Sequence, residues 1–166
     1  MRKTVSVIGS GQNATPSQKR IAYELGKLIA KKGLVLLCGG REGVMDSASR
    51  GAHEAGGIVV GILPGDTKDG ANNYVDIAIA TGIGFARNQI ISYSGDVIIA
   101  VGGEAGTLTE MAFAWAKGKP IIAISTSGGA ASNYAGKKMD SRNHPKIISA
   151  KDAKAAMRIT EKILEK

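Results

Sequence analysis

Five short apolar runs alternate along the chain with longer segments of helical periodicity. The runs are apolar at nearly every position, rich in β-branched residues, and cover residues 5–8, 34–37, 58–63, 97–101 and 121–124. Strands that are buried on both faces of a parallel sheet have this pattern. Since parallel neighbours need crossover helices, the alternation predicts a doubly wound, mainly parallel α/β sheet, Rossmann-like, with helices on both faces.

Five helices are predicted from the periodic segments, over about residues 16–32, 43–55, 83–94, 107–118 and 151–165. The first has the clearest boundaries. Thr15 can cap it, Pro16 suits the first helical position, Gln18 completes a capping box, and Gly33 ends it. Residues 125–144 are predicted to form a long loop that serves as a lid, an interface element or a mobile segment. No internal repeat or linker interrupts residues 1–166, which predicts a single domain.

Glycine is unusually frequent, at 23 of 166 residues, and it clusters after three of the predicted strands. The clusters, with one serine, are Gly9, Ser10 and Gly11; Gly39, Gly40 and Gly43; and Gly102, Gly103 and Gly106, followed by Thr107. Ligands of open α/β sheets bind beyond the carboxyl ends of the strands, where glycine lets the backbone approach a phosphate. These positions therefore predict a phosphate-binding site, although turn formation alone is the alternative interpretation.

The first glycine cluster formally matches a dinucleotide-binding fingerprint, but two features argue against a nicotinamide dehydrogenase. The helix start at Thr15 and Pro16 comes after the motif, and no ribose-binding acid stands at the end of the second strand. The Walker motif of P-loop NTPases is also missing from the sequence. A mononucleotide or another phosphate ester fits these observations better.

Arg87 and Glu110 are the candidate catalytic residues. Arg87 stands at the start of a helix with no other charge before Asp96, where its guanidinium could clamp a phosphate. A surface position or a structural ion pair is the alternative for this arginine. Glu110 could activate water or stabilise an oxocarbenium-like transition state in N-glycosidic cleavage. It also lies three residues after Thr107, so a purely structural capping box is its alternative. Glu104 is a second candidate carboxylate.

Net charge is +8, which raises the question of nucleic-acid or membrane-surface binding. The excess lies mainly at the ends of the chain, since residues 1–32 carry +6, residues 33–136 carry −3 and residues 137–166 carry +5. It is therefore interpreted as a basic outer surface around a small-molecule cleft, with no nucleic-acid partner and no membrane partner. The lone Cys38 is interpreted as a buried small side chain and favours a cytoplasmic location. No metal site is expected.

Several segments, taken in order, resemble the Rossmann-like superfamily of Lonely-guy proteins, which also carries a lysine decarboxylase label. The resembling segments lie within residues 38–45, 51–57, 61–65, 86–88 and 102–110, and the resemblance covers about three quarters of the chain. A lysine decarboxylase would need a cofactor-binding lysine, and no lysine lies in these motifs. That activity is excluded.

The resemblance implies two functions. The Lonely-guy branch hydrolyses nucleoside 5′-monophosphates to free base and ribose 5-phosphate, with Arg87 and Glu110 at the positions of its catalytic pair. However, Gly102 replaces the proline of its motif and Glu104 replaces its second glycine. The chain is thus more similar to the molybdenum cofactor carrier-like branch. A carrier would hold a nucleoside monophosphate or molybdopterin-type ligand without turning it over, and would require no other cofactor.

The resemblance also implies a homodimer or a larger homo-oligomer. A face of small and apolar residues on the fourth predicted helix, Met111, Ala112, Ala114 and Trp115, is one candidate interface. Burial of this face in the core of the monomer is the alternative.

Overall fold

A computed structural model describes residues 1–165, and in this part of the chain it contains seven strands and six α-helices. The strands are β1 (Thr4–Gly9), β2 (Val35–Cys38), β3 (Ile58–Leu63), β4 (Ile77–Ala80), β5 (Val97–Val101), β6 (Ile121–Ile124) and β7 (Ile148–Ala150). The helices are α1 (Pro16–Lys31), α2 (Val44–Glu54), α3 (Arg87–Ser94), α4 (Ala105–Ala116), α5 (Gly129–Tyr134) and α6 (Ala153–Leu164). A short 3-10 turn, Gly84–Ala86, leads directly into α3.

The seven strands form one parallel sheet in the order β4-β3-β2-β1-β5-β6-β7. The predicted Rossmann-like α/β fold is therefore confirmed. The chain runs outward from β1 to β4, then returns to pair β5 with β1, with Gly9 opposite Val101 at the carboxyl ends of the two strands. A reversal of strand order opens a crevice at these carboxyl ends, which is where such sheets bind ligands.

Helices cover both faces of the sheet and bury two separate apolar cores. Helices α1, α2 and α6 pack on one face, where Leu25, Ile29 and Val44 meet the side chains of Val5 and Val7. The other face is covered by α3, α4 and α5, and here Ile91, Met111 and Trp115 pack against Ile8 and Ile98. Because both faces are covered, the central strands are apolar at nearly every position.

The candidate interface on the fourth helix belongs to the core of the monomer. Met111 and Ala114 are completely buried, and Trp115 is nearly so. The Trp115 indole also donates a hydrogen bond to Asp140 at 3.4 Å and meets the His144 ring edge-on. Of the four predicted residues only Ala112 is exposed. The alternative interpretation, core burial, is the one that the structure supports for this face.

Residues 125–144 are not one long loop, because they include the helix α5. This segment is bonded to the turn after β5: Ala130 N–H donates to the carbonyl of Gly103 at 2.8 Å, and Ala131 N–H donates to that of Gly102 at 3.0 Å. Ser127 Oγ also accepts a hydrogen bond from the N–H of Gly102 at 2.7 Å. The first part of the segment is thus a supporting wall behind a glycine turn.

No helix within residues 1–165 is both long and apolar enough to cross a membrane. The basic side chains of α1 and α6 are exposed, as the distribution of charge along the sequence predicts. They are Lys19, Arg20, Lys27, Lys31, Lys154, Arg158 and Lys162.

Candidate functional site

A cleft of about 540 Å³ lies at the carboxyl ends of the central strands, between the turns that follow β1, β2 and β5 and the starts of α3 and α4. Eight residues predicted from the sequence to form the site line it: Gly9, Ser10, Gly11, Gly39, Arg87, Gly106, Thr107 and Glu110. The other four predicted residues lie in the same turns but do not line the cleft: Gly40, Gly43, Gly102 and Gly103. The cleft is therefore built from segments far apart in sequence.

Arg87 and Glu110 meet inside this cleft. Arg87 is the first residue of α3, Glu110 lies in the second turn of α4, and their side chains are only 10% and 9% exposed. Arg87 Nη1 lies 3.7 Å from Glu110 Oε1, which is an ion-pair distance but too long for a hydrogen bond. Within residues 1–165 the guanidinium donates no hydrogen bond to a protein acceptor. The residue is mostly buried, but its guanidinium lines the cleft, so its five N–H donors are free for an anion that enters from outside the chain.

Burial also changes the proton affinity of the pair. It raises the pKa of Glu110 to about 8, against the opposing effect of the Arg87 charge, so this carboxyl is mostly protonated at neutral pH. Burial lowers the pKa of Arg87, and Glu110 opposes that shift. A guanidinium nevertheless stays charged at physiological pH. The inner cleft therefore offers one positive charge beside a neutral carboxyl.

Gly39 makes room for the guanidinium. A Cβ atom on this residue would lie 2.5 Å from Arg87 Nη1, 2.7 Å from Nη2 and 2.6 Å from Met45 Sδ. Such distances are far below normal contact, so any side chain here would displace the arginine. From the sequence, Gly39 is predicted to belong to the site only because it follows a strand. The structure shows that its missing side chain sets the position of Arg87.

The amides of the turn after β5 are mostly used within the protein. Gly102 N–H is bonded to Ser127, and Gly103 N–H donates to Ser10 Oγ at 2.8 Å. Gln18 holds the same region, because its side-chain NH₂ donates to the carbonyl of Ser127 at 2.7 Å. These contacts make the turn rigid and direct the following helix, α4, at the cleft.

The amino end of α4 is open toward the cleft. Glu104 occupies the capping position without making a side-chain capping bond, and Gly106 and Thr107, in the first turn, line the cleft. The first N–H groups of a helix have no partner within the helix, and its dipole favours a negative charge there. The alternative capping box between Thr107 and Glu110 does not form, since the helix begins two residues before Thr107.

The amino end of α1 is closed by contrast. Its predicted capping box is confirmed, with Gln18 N–H donating to Thr15 Oγ1 at 3.2 Å and Thr15 N–H donating to Gln18 Oε1 at 3.0 Å. A dinucleotide-binding fold would present this end to a pyrophosphate. Here Thr15 and Gln18 occupy this end, which agrees with the interpretation that the fingerprint match after β1 is only formal.

Some residues of the site were missed by sequence reasoning. Ser127 and Gln18 contact the turn after β5, and no local signal reveals this: Ser127 lies in a segment with no motif, and the sequence marks Gln18 only as part of a capping box. Phe85 and Pro64 line the cleft within segments already recognised for other residues. The aromatic residue two positions before Arg87 is a signal that could have been used.

Residues 1–165 contain no group of three or more His, Cys, Asp or Glu side chains that could hold a metal ion. Cys38 is completely buried, as predicted, and its Sγ accepts a hydrogen bond from Gly40 N–H at 3.3 Å. Burial raises the pKa of this thiol, which disfavours the reactive thiolate. Cys38 thus has a structural role in the turn after β2, which borders the cleft.

A family model, that of the SLOG cluster4 family, matches residues 2–157. The fold and sequence are similar to a molybdenum cofactor binding protein from Rippkaea orientalis, with 36% identity, a TM-score of 0.86, and coverage of 99% of this chain and 98% of that one. A molybdenum cofactor carrier protein from Chlamydomonas reinhardtii gives 35% identity and a TM-score of 0.87, over 99% of this chain and 100% of that one.

A second group of relatives is named for a different activity. A cytokinin riboside 5′-monophosphate phosphoribohydrolase from Mycobacterium tuberculosis is 30% identical over 134 residues, which is 75% of this chain and 72% of the relative. The two groups correspond to the two branches that the sequence motifs resemble, and the likeness to the first group extends over more of the chain.

Proposed function

Because the chain belongs to the SLOG cluster4 family, we propose that it is a carrier that binds a phosphate-bearing small molecule in the cleft. The ligand class is a molybdopterin-type cofactor or a nucleoside monophosphate. The observation that carries the proposal is Arg87, whose buried guanidinium lacks a hydrogen-bond acceptor among residues 1–165 and lines the same cleft as the open amino end of α4.

The binding chemistry follows from this arrangement. Arg87 would hold two phosphate oxygens with its planar fork, and the free first-turn amides of α4 at Gly106 and Thr107 would hold the third. Glu110 would stay protonated beside the phosphate at neutral pH and could donate a further hydrogen bond. Similarity to two molybdenum cofactor proteins over nearly the whole chain supports the carrier assignment.

Phosphoribohydrolase activity is the second candidate function, and the placement of Glu110 favours it. The carboxyl lies in the same cleft as Arg87, as an acid–base group for N-glycosidic cleavage should. In this reaction water adds to the ribose carbon C1′, the carbon–nitrogen bond breaks, and the base leaves with a proton. An ionised glutamate must receive the proton of the attacking water. Glu110 is mostly neutral at pH 7, which lowers the rate expected from it.

Product analysis separates the two functions. After incubation of the protein with AMP at pH 7, we expect chromatography to recover AMP intact, because a carrier binds without turnover. We also expect pterin fluorescence in protein purified from a host that makes the molybdenum cofactor. Release of adenine and ribose 5-phosphate that is lost in Glu110→Gln would instead establish the hydrolase and defeat the carrier assignment.

We further propose that the protein forms a homodimer or larger homo-oligomer through an apolar strip beside α3. The strip consists of Ile77, Ile79, Ile83 and Ile90, which are 37–51% exposed. Ile77 and Ile79 pair in register with Val60 and Ile62, which pack toward the α3 face of the sheet. Exposed isoleucines on one side of an edge strand favour burial against another chain.

Light scattering after size exclusion tests this interface. We expect the wild-type protein to elute with at least twice the monomer mass at about 50 µM, and the Ile79→Glu/Ile90→Glu variant to elute as a monomer, because two carboxylates would have to be buried. Lys27→Glu, on the opposite face, should leave the mass unchanged. A monomeric wild type, or an unaltered mass in the double variant, is incompatible with the proposed strip.

A further inference from the structure

Phe85 is the most exposed large aromatic side chain of the described residues, at 62%, and it lines the cleft. Exposure of an aromatic ring to water is costly, and the cores on either side of the sheet make no use of this one. Phe85 lies two residues before Arg87, so the turn that directs the guanidinium inward leaves the ring at the rim of the same cleft.

The backbone holds this ring in a defined place. Gly84 N–H donates to the carbonyl of Pro64 at 2.9 Å, which ties the 3-10 turn to the end of β3. Gly84 has a φ of +56°, a conformation that glycine adopts without strain. Pro64 also lines the cleft, and the part of the wall that these two apolar side chains provide is called the Pro64–Phe85 corner below. The hydrogen bond between Gly84 and Pro64 ties the two segments of this corner together.

The far side of the ring borders the proposed phosphate position. A Cβ atom on Gly106 would lie 3.7 Å from Phe85 Cε2, so the ring edge is close to the first turn of α4. A ligand whose phosphate lies between Arg87 and this turn would place its next groups beside the Pro64–Phe85 corner. Polar groups and glycines form most of the remaining wall, which leaves this corner as an apolar surface suited to a flat ring.

We propose that Phe85 determines specificity by stacking on a planar heteroaromatic ring of the ligand, an inference that rests on the proposed phosphate site. Stacking offers large contact area to any such ring and little to an aliphatic sugar phosphate. A purine base and a pterin share this chemistry. The cleft would therefore recognise two features at once, the phosphate through Arg87 and a flat ring through Phe85.

Calorimetry with three probes tests the proposal: ribose 5-phosphate, AMP and neopterin 3′-monophosphate. For Phe85→Ala we expect a loss of about tenfold in affinity for at least one ring-bearing probe, while the affinity for ribose 5-phosphate changes less than twofold. Phe85→Tyr should keep wild-type affinity, because it keeps the ring. The probe that loses more affinity identifies the ring, purine or pterin.

The outcomes separate this inference from the function on which it rests. If ribose 5-phosphate binds in an Arg87-dependent manner but Phe85→Ala weakens all three probes equally or none, the stacking role is overturned and the phosphate site stands. If no probe binds in an Arg87-dependent manner, the phosphate site itself is wrong. A change in oligomer mass for Phe85→Ala would assign the ring to a subunit interface and would also overturn stacking.

Discussion

Replacing Arg87 with alanine should weaken the binding of AMP or ribose 5-phosphate about 100-fold. The guanidinium is buried, lines the same cleft as the open end of α4 and has no hydrogen-bond acceptor in the described chain, so a phosphate would be its main partner. Losing one side of a buried charge-assisted contact costs about 3 kcal/mol, which corresponds to this loss in affinity. The variant should fold, because Glu110 can remain protonated when its positive neighbour is removed. Calorimetry at pH 7 measures the effect.

Two further arginine variants make this measurement specific. Arg87→Lys keeps the charge but loses the planar fork, and we expect an intermediate loss of about tenfold. Arg41 also lines the cleft, but its side chain is about half exposed and its Nη2 lies 3.7 Å from Glu42 Oε1. Arg41→Ala should therefore change the affinity less than threefold. Equal effects of Arg41→Ala and Arg87→Ala would show that general charge, rather than the buried guanidinium, attracts the ligand.

Replacing Glu110 with glutamine should remove a pH-dependent loss of stability. The pKa of Glu110 is about 8 in the folded protein and near 4.5 in the unfolded chain, so between these values the folded state holds a proton that the unfolded state has released. The free energy of unfolding therefore falls as pH rises from about 4.5 to about 8. Relative to wild type, Glu110→Gln should gain about 1–4 kcal/mol by pH 9 and show little difference at pH 4.5.

Chemical unfolding at pH 5, 7 and 9 checks this expectation, with the difference between variant and wild type as the readout. Glu104→Gln is the matched control, because Glu104 adjoins the same helix but is exposed. As an exposed substitution, it should change the free energy of unfolding by less than about 0.5 kcal/mol. If the Glu110→Gln difference is equally flat from pH 5 to pH 9, Glu110 is ionised throughout and the neutral-carboxyl account of the cleft fails.

Most of the fold can be predicted from the sequence, because each central strand is buried on both faces and has to be apolar throughout. β3, β5 and β6 begin and end at the predicted residues, and β1 and β2 do so within one residue at each end. The two missed strands, β4 and β7, are the edges of the sheet. β4 is an apolar run of only four residues and is half exposed, and β7 has three residues with a serine in the middle, so both give a weaker pattern than the buried strands.

The candidate site was predicted less completely, for a physical reason. Glycine clusters mark the strand ends, and the motifs mark Arg87 and Glu110, but neither shows which amides remain free. Gly102 donates its N–H to a serine from a segment 25 residues away, a contact that no local pattern reveals. Three-dimensional packing likewise explains why Gly39 matters: its missing Cβ is the space that the arginine occupies.

A crystal structure of the protein with AMP would test the central claim most directly, since the claim is about where the phosphate lies. We predict phosphate oxygens within about 2.7–3.2 Å of the Arg87 guanidinium and of the first-turn amides of α4. A phosphate bound elsewhere, for example among Lys19, Lys27 and Arg50 in the basic groove between α1 and α2, with Arg87 left without a ligand, would contradict it.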